Sequence, residues 1–229
     1  MLSKVLSAAT YGIDAYVVEV EVDLSSGLPQ FTTVGLPEGA VKESKDRVFA
    51  AIKNAGYKFP SKRITVNLAP ADIKKEGSSF DLPIAVGILA ATAVVRSSRL
   101  KDVIILGELS LDGSLRPIKG AISIAIAAKE RGFEGIILPR ANGPEAAIVE
   151  GINVYSADNL IQVAQFLNGE AEIEPQTVDR AKIFNQVSHY AFDFGEVKGQ
   201  YHAKRALEVA AAGGHNILMT WTIGRYHFV

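Results

Sequence analysis

Apolar and acidic positions alternate along residues 16–24 (YVVEVEVDL), the two-residue period of a half-buried strand. Turn residues follow (SSGLPQ, 25–30), then FTTVGL (31–36), which reads as a returning strand and so predicts a hairpin with a long loop. Pro37 stands where a helix can start. Val41, Val48, Phe49, Ile52 and Ala55 recur at helical spacing, and Gly56 marks the stop. KRITVNLAP (62–70) predicts a strand ending at Pro70. The run FDLPIAVGILAATAVV (80–95) is apolar nearly all round and predicts a buried helix, with Pro83 in its first turn.

Residues 102–118 predict two strands about Asp112-Gly113, a strong hairpin signal. A helix over 119–131 closes at Gly132, and GIILP (135–139) reads as a strand. A short helix (141–151), a strand (152–157) and a helix (158–169) capped by Asp158 complete this part. The mixture lacks a strict βαβ repeat, so one α+β domain over 1–169 is expected. Residues 170–192 open acidic and poor in apolar residues, as a linker does. From 193 to 229 a new pattern begins: turn, helix (200–212), glycines, and a short strand (216–219).

Composition narrows the classes. The chain has 229 residues, 48% hydrophobic and 21% charged, with net charge −1, an ordinary globular balance without a global pull toward nucleic acid or membrane. It has no cysteine, which excludes disulfides and Cys-based zinc sites and fits the cytosol. No apolar run reaches the ~18 residues of a membrane span, and the N-terminal stretch is too short and polar for a signal peptide. Charge is uneven. Residues 41–75 hold nine Lys or Arg against three acids, whereas 141–179 hold seven acids and no Lys or Arg. The basic stretch reads either as a nucleic-acid surface, with Lys42, Lys45, Lys62 and Arg63 its testable members, or as the solvated face of a helix and loop. Asp72, Lys74, Lys75 and Glu76 form a charged loop, for which solvation is the simpler reading. The four histidines (189, 202, 215, 227) lack metal-ligand spacing, and His202 and His215 read as surface or turn residues.

Two segments carry a resemblance. ILGELSLDGSLRPIKGAISIAIAAKERGFEGIILPR (105–140), preceded by KKEGSSFDLPIAVGIL, is similar to the C-terminal domain of Lon-type proteases, a fold shared with the second domain of ribosomal protein S5. DFGEVKGQYHAKRALEVAAAGGHNILM resembles the opening of the ATPase module in magnesium-chelatase-like AAA+ proteins. In this order, and after ATYGIDAYVVEVEVDLSSGLPQFTTVGLP, they resemble the YifB/ComM family over residues 1–219. The resemblance implies an S5 domain 2-like, Lon-like domain followed by an incomplete AAA+ segment. It also implies cytoplasmic bacterial ATPases, one of which, the competence member, is a DNA helicase that drives branch migration in natural transformation. ATP and Mg²⁺ are expected for the full-length family only. Self-association as a hexamer is likewise expected only with a complete AAA+ module, DNA is a candidate partner, and no membrane is implied.

The same resemblance places Ser79 of Gly77-Ser78-Ser79-Phe80-Asp81 where Lon-type enzymes carry their nucleophile. Their activating lysine maps to Ile122, two residues past Pro117-Ile118-Lys119-Gly120, and Lys119 would have to reach back to replace it. The spacing Ser78-x-x-Asp81 before an apolar helix also reads as a capping box with Ser78 as N-cap, which needs no chemistry. Ser79 is thus expected to be vestigial, with no catalytic residue and no peptidase activity. In the second segment, Val197 and Gly199 of Val-Lys-Gly-Gln match the element beside the adenine in this ATPase class. Phosphate affinity, however, needs a P-loop, expected just past Met219. The closing TWTIGRYHFV holds no Gly-x-x-x-x-Gly-Lys-Ser/Thr. The chain is therefore expected to stop short of an ATP site, and its last strand to lack sheet partners.

Overall fold

The computed structural model describes residues 1–75, 77–179, 194–222 and 225–228. They fall into two compact units, split after residue 180. The first is a mixed α/β unit whose seven-stranded sheet is mostly parallel, in agreement with the α+β expectation.

The sheet begins with β1 (Leu2–Tyr11) and β2 (Asp14–Ser25), a long antiparallel hairpin. Its tip is tight because Gly12 takes a φ of 63°, as the first central residue of a type II′ turn must. The pattern reading passed over β1, whose spaced apolar residues (Val5, Leu6, Ala8) are diluted by serines and alanines.

The predicted pairing of 16–24 with 31–36 is incorrect. β3 (Gln30–Val34) does not touch β2; β4 (Arg63–Ala69) lies between them, antiparallel to β2 and parallel to β3. The helix between them, α1 (Gly39–Asn54), makes β3-α1-β4 a parallel crossover unit. Burial explains the order. β4 buries Ile64, Val66 and Leu68 completely and needs neighbours on both sides, whereas neutral, polar β3 tolerates the edge.

α2 (Asp81–Ala91) is buried on nearly every side, as its sequence requires, but ends four residues before the predicted stop. β5 (Val103–Ile105), β8 (Gly135–Pro139) and β9 (Asn153–Ala157) extend the sheet in parallel beyond β1. The Asp112-Gly113 hairpin is present as β6 (Glu108–Leu109) and β7 (Leu115–Arg116). α3 (Ala121–Glu130) and α4 (Gly143–Ala146) pack on one face of the sheet; α1, α2 and α5 (Leu160–Asn168) pack on the other. The predicted helix 141–151 shrinks to a 3₁₀ turn over 140–142 plus α4. The cap of α5 is Asn159, whose Oδ1 accepts from Gln162 N–H at 2.9 Å, not Asp158. Asp158 is instead bound bidentately by Arg140 at 2.6 and 2.7 Å.

Residues 170–179, which the sequence reading gives to a linker, belong to the first compact unit. Ile173 is buried in the core, and Gln176 N–H donates to Val154 C=O at 2.8 Å, covering the outer edge of β9. The second unit holds a 3₁₀ turn (Phe194–Glu196), α6 (Tyr201–Gly213), and the antiparallel pair β10 (Met219–Thr222) and β11 (Arg225–Phe228). The strand expected at 216–219 is thus shifted, and it has a partner. No helix among the described residues is long and apolar enough to cross a membrane.

Gly35 gives a sharp test of this packing. It sits at φ 96°, and a Cβ there would lie 2.2 Å from the Leu68 carbonyl oxygen. Gly35→Ala is expected to cost at least about 2 kcal/mol in urea unfolding. Gly39→Ala, in α1 with open space around it, should instead be neutral or stabilise by up to about 1 kcal/mol.

Candidate functional site

The loop before α2 is organised by two buried charges. Asp81, at the first position of α2, is fully buried. Its carboxylate accepts from Arg47 of α1 through Nε at 2.6 Å and Nη2 at 3.0 Å, and from Leu109 N–H of β6 at 3.2 Å. Burial pushes the Asp81 carboxyl up to about 6, against the opposing pull of Arg47 and the Leu109 N–H. Arg47 is held above its ordinary value, first by the hydrogen bond to Asp81.

Lys75 is the second, and here the expectation of a solvated charged loop fails. Its side chain is wholly buried, and its ammonium donates to the carbonyls of Pro70 and Ile73, the latter at 2.7 Å. Its backbone pairs with Leu36 and Glu38, tying the loop to the end of β3. Desolvation holds the lysine below its usual range, with Asp72 pulling the other way. Asp72 and Lys74 are exposed, Lys74 pairing with Glu38 at 3.1 Å; Glu76 lies outside the described residues.

The capping box is also absent. Phe80 occupies the N-cap of α2 and gives no side-chain cap. Ser78 contributes its backbone carbonyl to Asp81 N–H at 3.1 Å, while its hydroxyl donates to the Glu108 carboxylate. Asp81 is drawn to Arg47, a charge-assisted bidentate bond stronger than any cap it could make. Glu108 and Arg47 are the site residues that the sequence reading did not single out. Glu108 was hidden in a hairpin strand, and Arg47 counted only as one more cation.

Beside them lies a cleft of about 1060 Å³, lined by the end of β1 (8–12), Tyr16, residues 72–74 and 77–79, Glu108, residues 117–119 before α3, and Ile124. Ser79 and Lys119 both line it, whereas Ile122 does not. Ser79 C=O accepts from Gly107 N–H at 2.9 Å, so its backbone serves the β6 connection. Lys119 is exposed to water, and an activating lysine needs a desolvated setting.

The basic stretch divides. Arg47 and Lys75 are engaged inside the fold, while Lys45, Lys53, Lys58, Lys62 and Arg63 are exposed. The side chain of Lys42 lies outside the described residues. Phe49 and Phe59 stack edge to face at 4.8 Å among these cations, with Lys53 Nζ 5.1 Å from the Phe49 ring centre. In the second unit Val197 is 44% exposed, and Gly199 holds φ 70° ahead of Gln200, the N-cap of α6. His202 and His215 are exposed; His189 and the His227 side chain fall outside the described residues.

Known proteins place this geometry. A family model described as "Subunit ChlI of Mg-chelatase" matches residues 20–142, which include Arg47, Asp81 and Glu108. One described as "Magnesium chelatase, subunit ChlI" matches residues 193–225. Competence protein ComM of Haemophilus influenzae is 47% identical over 218 residues, 95% of this chain and 43% of that protein. The uncharacterized protein YifB of Escherichia coli is 44% identical over 219 residues, covering 95% and 42%. The chain belongs to the magnesium-chelatase-like YifB/ComM family. It spans less than half the length of these YifB/ComM relatives. A Lon protease of Borrelia duttonii is 28% identical over 176 residues, 71% of this chain and 21% of that enzyme.

Within this YifB/ComM chain the Arg47–Asp81 pair makes a pH-dependent prediction. The folded Asp81 keeps its proton to about 6, above the unfolded value of 3.8, so folding takes up a proton between them and stability falls as pH rises through that window. Arg47→Met removes the main influence that lowers this pKa, so the window extends upward. Loss of the partner should cost about 3–5 kcal/mol near pH 8. Urea unfolding should show a clearly smaller loss at pH 5, where Asp81 is largely neutral in both proteins.

Proposed function

We propose that this chain is the N-terminal part of a ComM-type AAA+ ATPase, and that residues 1–169 form a Lon-like, S5 domain 2-like module that is accessory and non-catalytic. The observation that carries this is the cleft. Ser79, which the resemblance sets at the nucleophile's position, lines it, whereas Ile122, which the resemblance sets at the lysine's position, lies outside the lining. Identity to a Lon protease over most of the chain supports the module's ancestry. The domain limits, with a linker over 170–192 and an AAA+ opening over 193–229, belong to the same reading, as does residence in the cytoplasm.

Val197 and Gly199 would pack beside an adenine once a complete AAA+ module is present, with Mg²⁺ and a P-loop holding the phosphates. The glycine suits the role through its conformation: φ 70° admits no ordinary side chain without strain. The 229 residues here contain no Gly-x-x-x-x-Gly-Lys-Ser/Thr. Branch migration on DNA and hexamer formation are the activities proposed for the full-length relative.

The aromatic pair Phe49–Phe59 among exposed lysines favours a second reading, a self-standing module that contacts single-stranded nucleic acid through stacked bases and neutralised phosphates. A diverged Ser-Lys peptidase, resting on the shared cleft of Ser79 and Lys119, is the weakest alternative.

Three measurements separate these readings. Titration with labelled ATP and Mg²⁺ should show no binding in the micromolar range, and casein should stay intact with either Ser79 or Ser79→Ala; Ser79-dependent hydrolysis would overturn the non-catalytic reading. Salt-dependent binding of single-stranded DNA, weakened about tenfold by Phe49→Ala, would promote the second reading.

A further inference from the structure

The two edges of the seven-stranded sheet are finished differently. The β9 edge is covered, because Gln176 N–H bonds Val154 and Ile173 packs into the core beside it. The β3 edge, Gln30–Val34, pairs with β4 on one side and, among the described residues, has no strand on the other. Exposed strand edges are normally protected by charge, proline or a bulge. QFTTV has none of these: no charged residue and no proline, and it runs in unbroken register with β4 over all five positions. It is flanked by exposed apolar side chains, Leu28 at 87%, Val34 at 41% and Leu36 at 50% exposure.

We infer that β3 is a docking edge for a second copy of this chain, pairing antiparallel with its own counterpart about a two-fold axis through Thr32. Three observations select this occupant. The strand is neutral, so it offers nothing to steer a charged partner, and its best complement is another neutral strand. Its sequence is self-complementary in this register, which sets Thr32 against Thr32, Phe31 against Thr33 and Gln30 against Val34. Threonine pairs and aromatic–β-branched pairs are favourable cross-strand neighbours. The same pairing brings the end of β3 that carries exposed Leu28 beside the end of the other copy that carries exposed Leu36, twice per dimer. The contact is isologous and closes at two copies, because each copy spends the uncovered edge of its seven-stranded sheet. The result is one continuous sheet whose outer edges are both the covered β9.

The chain has no cysteine, so a single introduced thiol reports on this axis alone. Cross-strand Cβ atoms lie within disulfide reach only when the two positions are directly opposite. Thr32→Cys in the full chain should give a covalent dimer on mild oxidation, and Leu111→Cys, on an exposed hairpin loop, should not. Wild type should sediment as a concentration-dependent dimer. Val34→Lys, which sets charge into the neutral edge, should weaken dimerisation about tenfold or more while leaving circular dichroism unchanged. A wild-type monomer throughout the hundred-micromolar range would overturn the inference. So would a dimer that Val34→Lys leaves intact and that Thr32→Cys does not capture, since that dimer would be held by another surface. Loss of nucleotide or DNA function would not bear on it, because every arm reads association only.

Discussion

The Arg47–Asp81 pair is the joint on which the first unit turns. A carboxylate with no water contact needs a partner, and only a guanidinium can satisfy both oxygens at once. Meeting that need fixes the side of α1 that faces α2, and the Leu109 N–H fixes β6 against the same carboxylate. With those elements set, the neighbouring backbone has little choice. Ser79 C=O and Leu82 N–H close onto Gly107, and Ser78 turns its hydroxyl to Glu108. The wall of the cleft is therefore a by-product of neutralising one buried acid.

The same arrangement gives both serines of the loop a structural role. Ser78 and Ser79 both serve the connection to β6, one through its side chain and one through its carbonyl. Lys75 does comparable work within the loop, where its ammonium gathers two of the loop's carbonyls and its backbone bridges to the segment after β3.

Local signals in the sequence were sound where neighbours in the chain are neighbours in space. The buried α2, the Asp112-Gly113 hairpin and α6 could be read directly, because apolar runs and turn residues act over a few positions. Strand order was not legible. Alternation in 16–24 and in 63–69 says that both strands are half-buried, but not which neighbours which; the crossover through α1 decides that. Charges were misread for a related reason. Lys75 and Arg47 look like surface cations in a basic stretch until the carbonyls of the lysine's own loop and a carboxylate from a distant segment engage them. Ser78 and Asp81 have capping-box spacing, yet Arg47, thirty-four residues away from Asp81, outcompetes the local bond. The family resemblance was carried by longer motifs and did not depend on these local errors.

The position of β1 in the sheet has a consequence for how the unit is made. It is the first strand to be synthesised, and its hairpin with β2 can form at once. Its parallel neighbour β5, which pairs Leu6 with Ile104, arrives only after roughly a hundred further residues. One flank of this central strand must therefore stay open until Ile104 has been added, with Val5 and Ala8 uncovered. Sheets closed by such distant pairings form slowly, since the loop must be ordered before the contact rewards it. The unit then finishes at its far edge, when Ile173 and Gln176 settle beside β9. A nascent chain halted at residue 169 would hold every strand of the sheet and still lack the cover that completes it.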